Sequence, residues 1–155
     1  MVKPLVAVAF GSNLGDRRKS IALAAAQVAR LLGDFRLSRL IETEPVGLGL
    51  ENDPPYLNAV GVGTSDASVR DLLQALLAIE TARGRTRPFP GAPRLIDLDL
   101  ILAGDQIVHA ADIDVPHPRF RERRFVLEPL VEIAPEMRDP ETGLTAAQLL
   151  QRLSK

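Results

Sequence analysis

From Pro93 to Leu102 the chain reads Pro-Arg-Leu-Ile-Asp-Leu-Asp-Leu-Ile-Leu. Successive side chains on a β-strand point to opposite faces, so Ile96, Leu98, Leu100 and Leu102 are expected to enter a core while Asp97 and Asp99 share the other face. Two carboxylates one pleat apart repel, and an apolar strand offers little water to screen them, so a cation is expected between them. Carboxylate oxygens suit a hard ion such as Mg2+, which keeps several waters and is usually completed by substrate phosphates. Two ions roughly 3.5–4 Å apart form the clamp used on a transferring phosphoryl group. The plainer alternative is the solvated face of an amphipathic edge strand.

The preceding segment favours the metal. Arg83 to Arg94 contains four arginines, three prolines, two glycines and no acid. Guanidinium groups bind phosphate oxygens in pairs, and the prolines and glycines describe a loop. A basic loop leading into an acidic strand suits a polyphosphate gripped by arginines on one side and by metal on the other.

With 155 residues and 46% hydrophobic content, one domain spanning 1–155 is expected. The net charge of −1 gives no overall field to draw the chain to nucleic acid or an anionic membrane. The absence of cysteine excludes disulfides, thiolate zinc sites and cysteine nucleophiles, and it fits a reducing compartment. The apolar N-terminus is short and lacks a small-residue cleavage site, and no run approaches the ~18 apolar residues of a membrane span. A soluble cytoplasmic protein is expected.

Taken in order, Leu5 to Phe10 reads as a buried strand, and Gly11 to Asp16 as a turn with Ser12, Asn13 or Asp16 able to cap a helix that Gly33 ends. Lys19-Ser20 does not complete a Walker loop, because Asp16-Arg17-Arg18 separates it from Gly15. Phe35 to Thr43 reads as a second strand, Glu44 to Pro55 as a long loop, and Tyr56 to Val62 as a third strand with Tyr56 and Asn58 on one face. A ring and an amide there can stack on and hydrogen-bond a flat heterocycle, although an Asn in a strand can equally satisfy a neighbouring backbone group. Ser68 to Ala82 is a second amphipathic helix with Glu80 in its last turn, where the helix dipole disfavours an acid and a nearby cation is expected. Ala103-Gly104-Asp105 reads as a hairpin turn with Ile107-Val108 returning, followed by a second basic cluster from Val115 to Phe125, a helical stretch to Ile133, and a C-terminal helix from Thr145 to Leu153. The order strand, helix, strand, strand, helix, strand predicts an α+β, ferredoxin-like βαββαβ sandwich with a C-terminal elaboration.

These residues together resemble the 6-hydroxymethyl-7,8-dihydropterin pyrophosphokinase family of folate biosynthesis. The resemblance rests on Phe10 to Asp16, Thr43-Glu44-Pro45, Tyr56-Leu57-Asn58-Ala59, Glu80 to Arg87, Gly91 to Leu100, and Val115-Pro116-His117-Pro118-Arg119. It implies a ferredoxin-like fold and transfer of pyrophosphate from Mg-ATP to the pterin hydroxymethyl group, leaving AMP. By the same resemblance, Asp97 and Asp99 hold two Mg2+ ions, and Arg85 and Arg94 contact the phosphates and steady the transition state. Glu80, Arg87, His117 and Arg123 complete the ATP side. The pterin is expected between Tyr56 or its neighbours and Phe125, with Asn58 and the backbone of Thr43, Glu44, Pro45 and Val46 reading its amide edge. The resemblance implies ATP and the pterin as small-molecule partners, and a monomer is expected. Some relatives carry a tryptophan over the pterin, a lysine at Pro88 and a tyrosine at Pro118, and a loop one residue longer between Pro88 and Ala92. This chain has no tryptophan, and Phe89 stands where it could cover the ring. The rivals are another two-metal phosphoryl enzyme, which would need more ligands than this pair, and a silent ferredoxin-like binding module.

Overall fold

The apolar run at the N-terminus becomes β1 (Leu5–Ser12), the strand around which the computed structural model is built. Residues 3–43, 55–82 and 95–153 are described. Asp16 caps α1 (Arg17–Val28), its side chain accepting the Lys19 N–H at 3.1 Å. That helix stops five residues before Gly33, which instead opens β2 (Gly33–Leu37). The reason is a close crossing: a Cβ on Gly33 would stand 2.6 Å from Thr64 Oγ1.

The expected second strand is two, β2 and β3 (Ile41–Thr43), both antiparallel to β4 (Tyr56–Thr64). At the break, Ser38 keeps the pairing by donating its N–H to the Val60 carbonyl at 2.9 Å, and its hydroxyl accepts the Val60 N–H. After α2 (Val69–Ala82), capped by Ser68, β5 (Asp97–Ala103) pairs with β1, giving the order β2-β4-β1-β5 with β3 also on β4. Helix, strand and crossover follow the ferredoxin-like plan.

The return strand expected after Gly104 does not pair with β5. It forms β6 (Val108–Ala110), whose partner is β7 (Ile113–Val115) in a separate hairpin. A short 3-10 turn (Phe120–Glu122) leads into α3 (Arg124–Ile133), and α4 (Ala146–Leu153) closes the described chain, with Thr145 and Gln148 in a reciprocal cap.

Both sheet faces are covered. Val6, Val8, Phe10, Leu98 and Leu100 pack against Ile21, Val28, Leu72 and Leu76 of α1 and α2. On the other face Ala7, Val60 and Val62 meet Phe120, Leu127, Leu130 and Leu149 of the C-terminal elements. The elaboration therefore supplies a second core.

One expectation about β5 is corrected. Val8 pairs with Leu100 but Ala7 pairs with Leu102, so Ile101 is an extra residue in the ladder. The bulge turns Leu102 to the same side as Ile101, into the second core, while Leu98 and Leu100 keep the expected direction.

Candidate active site

Directly paired residues on antiparallel strands project to the same face. The register places Thr43 beside Tyr56, then Ile41, Asn58, Gly11 and Asp97 in one row across four strands, then Val60, Ala9 and Asp99 in the next. Tyr56, Asn58, Asp97, Asp99 and Thr43 thus share the face that α3 covers further along. Down β5 that face passes from the half-buried Asp97 and Asp99 to the fully buried Ile101 and Leu102. Among the described residues, the site is the end of the second core that α3 leaves uncovered.

Gly11 forms the floor between the amide and the acids. A Cβ there would lie 3.6 Å from Asn58 Oδ1 and 3.6 Å from Tyr56 Cδ1, ordinary contact distances, so the glycine leaves room for one methyl group beside the ring and the amide. From Asn58 to Asp97 is two strand spacings, roughly 10 Å.

Asn58 is oriented from one side. Its Nδ2 donates to Thr43 Oγ1 at 2.8 Å and to the Ile41 carbonyl at 3.3 Å, leaving Oδ1 toward Gly11. The amide thus satisfies its neighbours and still presents an acceptor. Arg17, which the sequence did not single out, braces this corner: its Nη1 donates to Glu42 Oε1 at 2.8 Å and to the Pro55 carbonyl at 2.7 Å. Both partners are distant in the chain, so no local pattern could reveal the contact.

The opposite wall comes from the segment after β7. His117 donates its N–H to the Ile101 carbonyl at 3.0 Å, and its Nδ1 accepts the Arg119 N–H at 3.2 Å. Burial first, then the charge of Arg123, holds this imidazole below its ordinary range, against a smaller opposing pull from Asp114 and Asp97. His117 is therefore neutral near pH 7, and with Nδ1 accepting, its proton sits on Nε2. The Arg123 guanidinium carbon lies 5.6 Å from the centre of the Phe125 ring, and Phe125 is half-buried at the start of α3.

Glu80 is buried, and its Oε2 accepts the Leu98 N–H at 2.7 Å. Leu98 lies between Asp97 and Asp99, so α2 ties down the strand edge that carries both acids. This backbone donor was not foreseen from the helix dipole.

Glu44, Pro45, Val46, Arg85, Arg87 and Arg94 lie outside the described residues. Among the described residues, no group of three or more His, Cys, Asp or Glu side chains is placed to hold a metal. Two half-buried carboxylates on one face, with Arg123 and a neutral imidazole nearby, fit a hard cation whose remaining ligands are water and phosphate.

The family model described as 7,8-dihydro-6-hydroxymethylpterin-pyrophosphokinase matches residues 7–135. Among curated relatives, the 2-amino-4-hydroxy-6-hydroxymethyldihydropteridine pyrophosphokinase of Pseudomonas aeruginosa is 37% identical over 140 residues, covering 88% of this chain and 84% of the relative. The protein of the same name from Synechocystis is 37% identical over 148 residues, covering 94% and 74%. Among solved structures, wild-type Plasmodium falciparum HPPK-DHPS with pteroate superposes with a TM-score of 0.72 at 14% identity, over 97% of this chain and 42% of that one. A structure of HPPK-DHPS in complex with substrates gives 0.71 at 12% identity, over 98% and 43%. The chain spans less than half of those two structures, which support the fold alone. The match across most of the chain to the family model, together with the identity to full-length relatives, shows that this chain belongs to the 7,8-dihydro-6-hydroxymethylpterin-pyrophosphokinase family.

Proposed function

We infer that this chain is an ATP-dependent pyrophosphokinase that transfers pyrophosphate from ATP to the hydroxymethyl group of 6-hydroxymethyl-7,8-dihydropterin in folate biosynthesis. The observation that carries the division of labour is the shared sheet face, with a ring and an amide acceptor at one end and two carboxylates at the other.

The pterin lies over Gly11, with Tyr56 and Phe125 against its ring faces. Asn58 Oδ1 accepts from its amide edge, and the segment Thr43, Glu44, Pro45 and Val46 completes that edge. The hydroxymethyl group then extends along the row toward Asp97. Its oxygen attacks the β-phosphorus of ATP, the bond from that phosphorus to the α–β bridging oxygen breaks, and AMP leaves while the hydroxyl proton is lost. Two Mg2+ ions, held by Asp97 and Asp99, would neutralise the triphosphate and lower the charge cost of in-line displacement. His117 donates its Nε2–H to a phosphate oxygen, and Arg123 adds a fixed positive charge beside it. Arg85 and Arg94 contact the transferring group, with Arg87 on the nucleotide. Glu80 holds β5 so that the two acids face the phosphates.

Residues 1–155 act as one domain and as a monomer, a reading supported by one main sheet whose two cores draw on elements from β1 to α4. Among the described residues no helix is long and apolar enough to cross a membrane. The need for ATP supports a cytoplasmic location.

An assay of ATP, Mg2+ and the hydroxymethyl pterin tests the reading. AMP should appear in step with pterin diphosphate. Release of ADP, or no pterin-dependent product, would overturn it.

A further inference from the structure

Four arginines crowd the segment that carries the nucleotide-side residues: Arg119, Arg121, Arg123 and Arg124. Their surroundings sort them. Arg121, in the 3-10 turn, donates from Nε to Asp139 Oδ2 at 2.6 Å and from Nη2 to Asp139 Oδ1 at 2.9 Å, and Nη2 also reaches Glu141 Oε1 at 3.0 Å. Arg124 pairs with Glu128 at 3.2 Å. Arg123, between them, has no carboxylate partner among the described residues and lies over Phe125.

Asp139 is a built acceptor. Its side chain is 0% exposed, and besides Arg121 it takes the Thr142 hydroxyl at 2.7 Å and the Glu141 N–H at 3.1 Å. The turn that presents it is fixed at both ends, with Asp139 N–H bonded to the Leu144 carbonyl and Gly143 N–H to the Asp139 carbonyl, each at 2.8 Å. A carboxylate without solvent and with bidentate geometry holds its guanidinium far more strictly than an exposed pair would. The turn bearing Arg121 is otherwise secured by the buried Phe120, whose ring centre lies 4.9 Å from the Arg121 guanidinium carbon.

We propose that Asp139 and Arg121 are a positioning pair for the pyrophosphoryl-transfer site: by clamping the turn between His117 and Arg123 and occupying the nearby carboxylates, they leave Arg123 directed at the nucleotide phosphates. The inference rests on the functional reading above. The pair touches neither substrate; it acts through the backbone of residues 117–123, which is closed by only a few bonds of its own, such as Arg123 N–H to the Phe120 carbonyl at 3.2 Å. Loosening the clamp should therefore weaken the nucleotide side more than the pterin side, where Thr43, Tyr56 and Asn58 are held by β3 and β4 and only Phe125, anchored in α3, adjoins the turn.

The test uses Arg121→Lys, which keeps the charge and loses the fork, and Asp139→Asn, which keeps the shape and loses the charge. Amide hydrogen exchange on the ligand-free proteins should show faster exchange at Phe120, Glu122 and Arg123 with α1 unchanged, a local pattern that general destabilisation does not produce. Affinity for a non-hydrolysable ATP analogue with Mg2+ should fall about tenfold. Pterin affinity at saturating analogue should stay within about twofold. Either variant alone suffices if the other does not fold. Unchanged exchange in the turn, unchanged analogue affinity, or parallel loss of both ligands would each overturn the positioning role. A wild-type protein that binds no ATP analogue would instead overturn the parent reading, and this inference with it.

Discussion

The Glu80 carboxylate accepts the main-chain N–H of Leu98 at 2.7 Å. β5 lies at the end of the strand order among the described residues, and there α2 supplies the acceptor for the Leu98 N–H, between the two aspartates. The contact binds the helix that precedes the arginine-rich segment to the strand that follows it.

Replacing Glu80 by leucine removes that acceptor from a buried donor. Glu80→Leu should cost about 1–3 kcal/mol of stability, read from urea unfolding, and should reduce turnover. Glu80→Gln retains an amide oxygen and should recover most of the stability. Equal losses in both variants would mean that the acceptor is not what matters.

Asp97→Ala and Asp99→Ala should each lower kcat by about 100-fold or more while the unfolding midpoint stays near wild type, because both side chains are half-buried and stand apart from the fully buried core. Steady-state AMP release across a Mg2+ titration reads this. Wild-type rates in both variants would falsify the assignment of the metal to this pair.

Gly11→Ala should set a methyl group beside Tyr56 and Asn58 without a clash, since the added carbon meets its neighbours at ordinary contact distance. Stability should change by no more than about 0.5 kcal/mol, whereas KM for the pterin should rise several-fold with KM for ATP unaltered. A rise for ATP alone would move the pterin away from this floor.

His109 joins the β6–β7 hairpin to the turn before α4: Nδ1 meets Asp114 and Nε2 meets Glu141 at 2.9 Å. The bond to Glu141, then that to Asp114, raises its pKa above the ordinary imidazole value. A raised folded pKa gives stability that is fully present below about pH 6.5 and disappears as pH climbs through the folded value. The Tm difference between wild type and His109→Gln should therefore be larger near pH 5.5 than near pH 9. His117 has the opposite sign, its depressed pKa destabilising the fold as pH falls below about 6.5, and it is common to both proteins, so it leaves that difference in place.

The shared face of the described candidate residues was legible in part because its signals are local. Period-two alternation put Asp97 and Asp99 on one face and Tyr56 with Asn58 on another single face, and the register then made those the same face. The amphipathic α2 and the capped start of α4 likewise follow from spacing within a few residues, whereas the α1 cap was narrowed only to Ser12, Asn13 or Asp16, of which the fold uses Asp16. Leu102 was misdirected because a bulge depends on how two strands pair, and nothing within Asp97 to Ala103 marks Ile101 as the extra residue.

By itself, the chain's order of residues determined the alternation of strands and helices, the acidic pair on one side of a strand, and the family to which these motifs are similar, since each is a matter of periodicity or short-range chemistry. Only the tertiary structure decided that the C-terminal elements build a second core, that Arg17 reaches Glu42 and Pro55, that Glu80 serves Leu98, and that Asp139 claims Arg121 among four arginines. Those outcomes are partnerships between groups brought together by packing, and a donor's partner is chosen by whichever acceptor the folded chain leaves beside it.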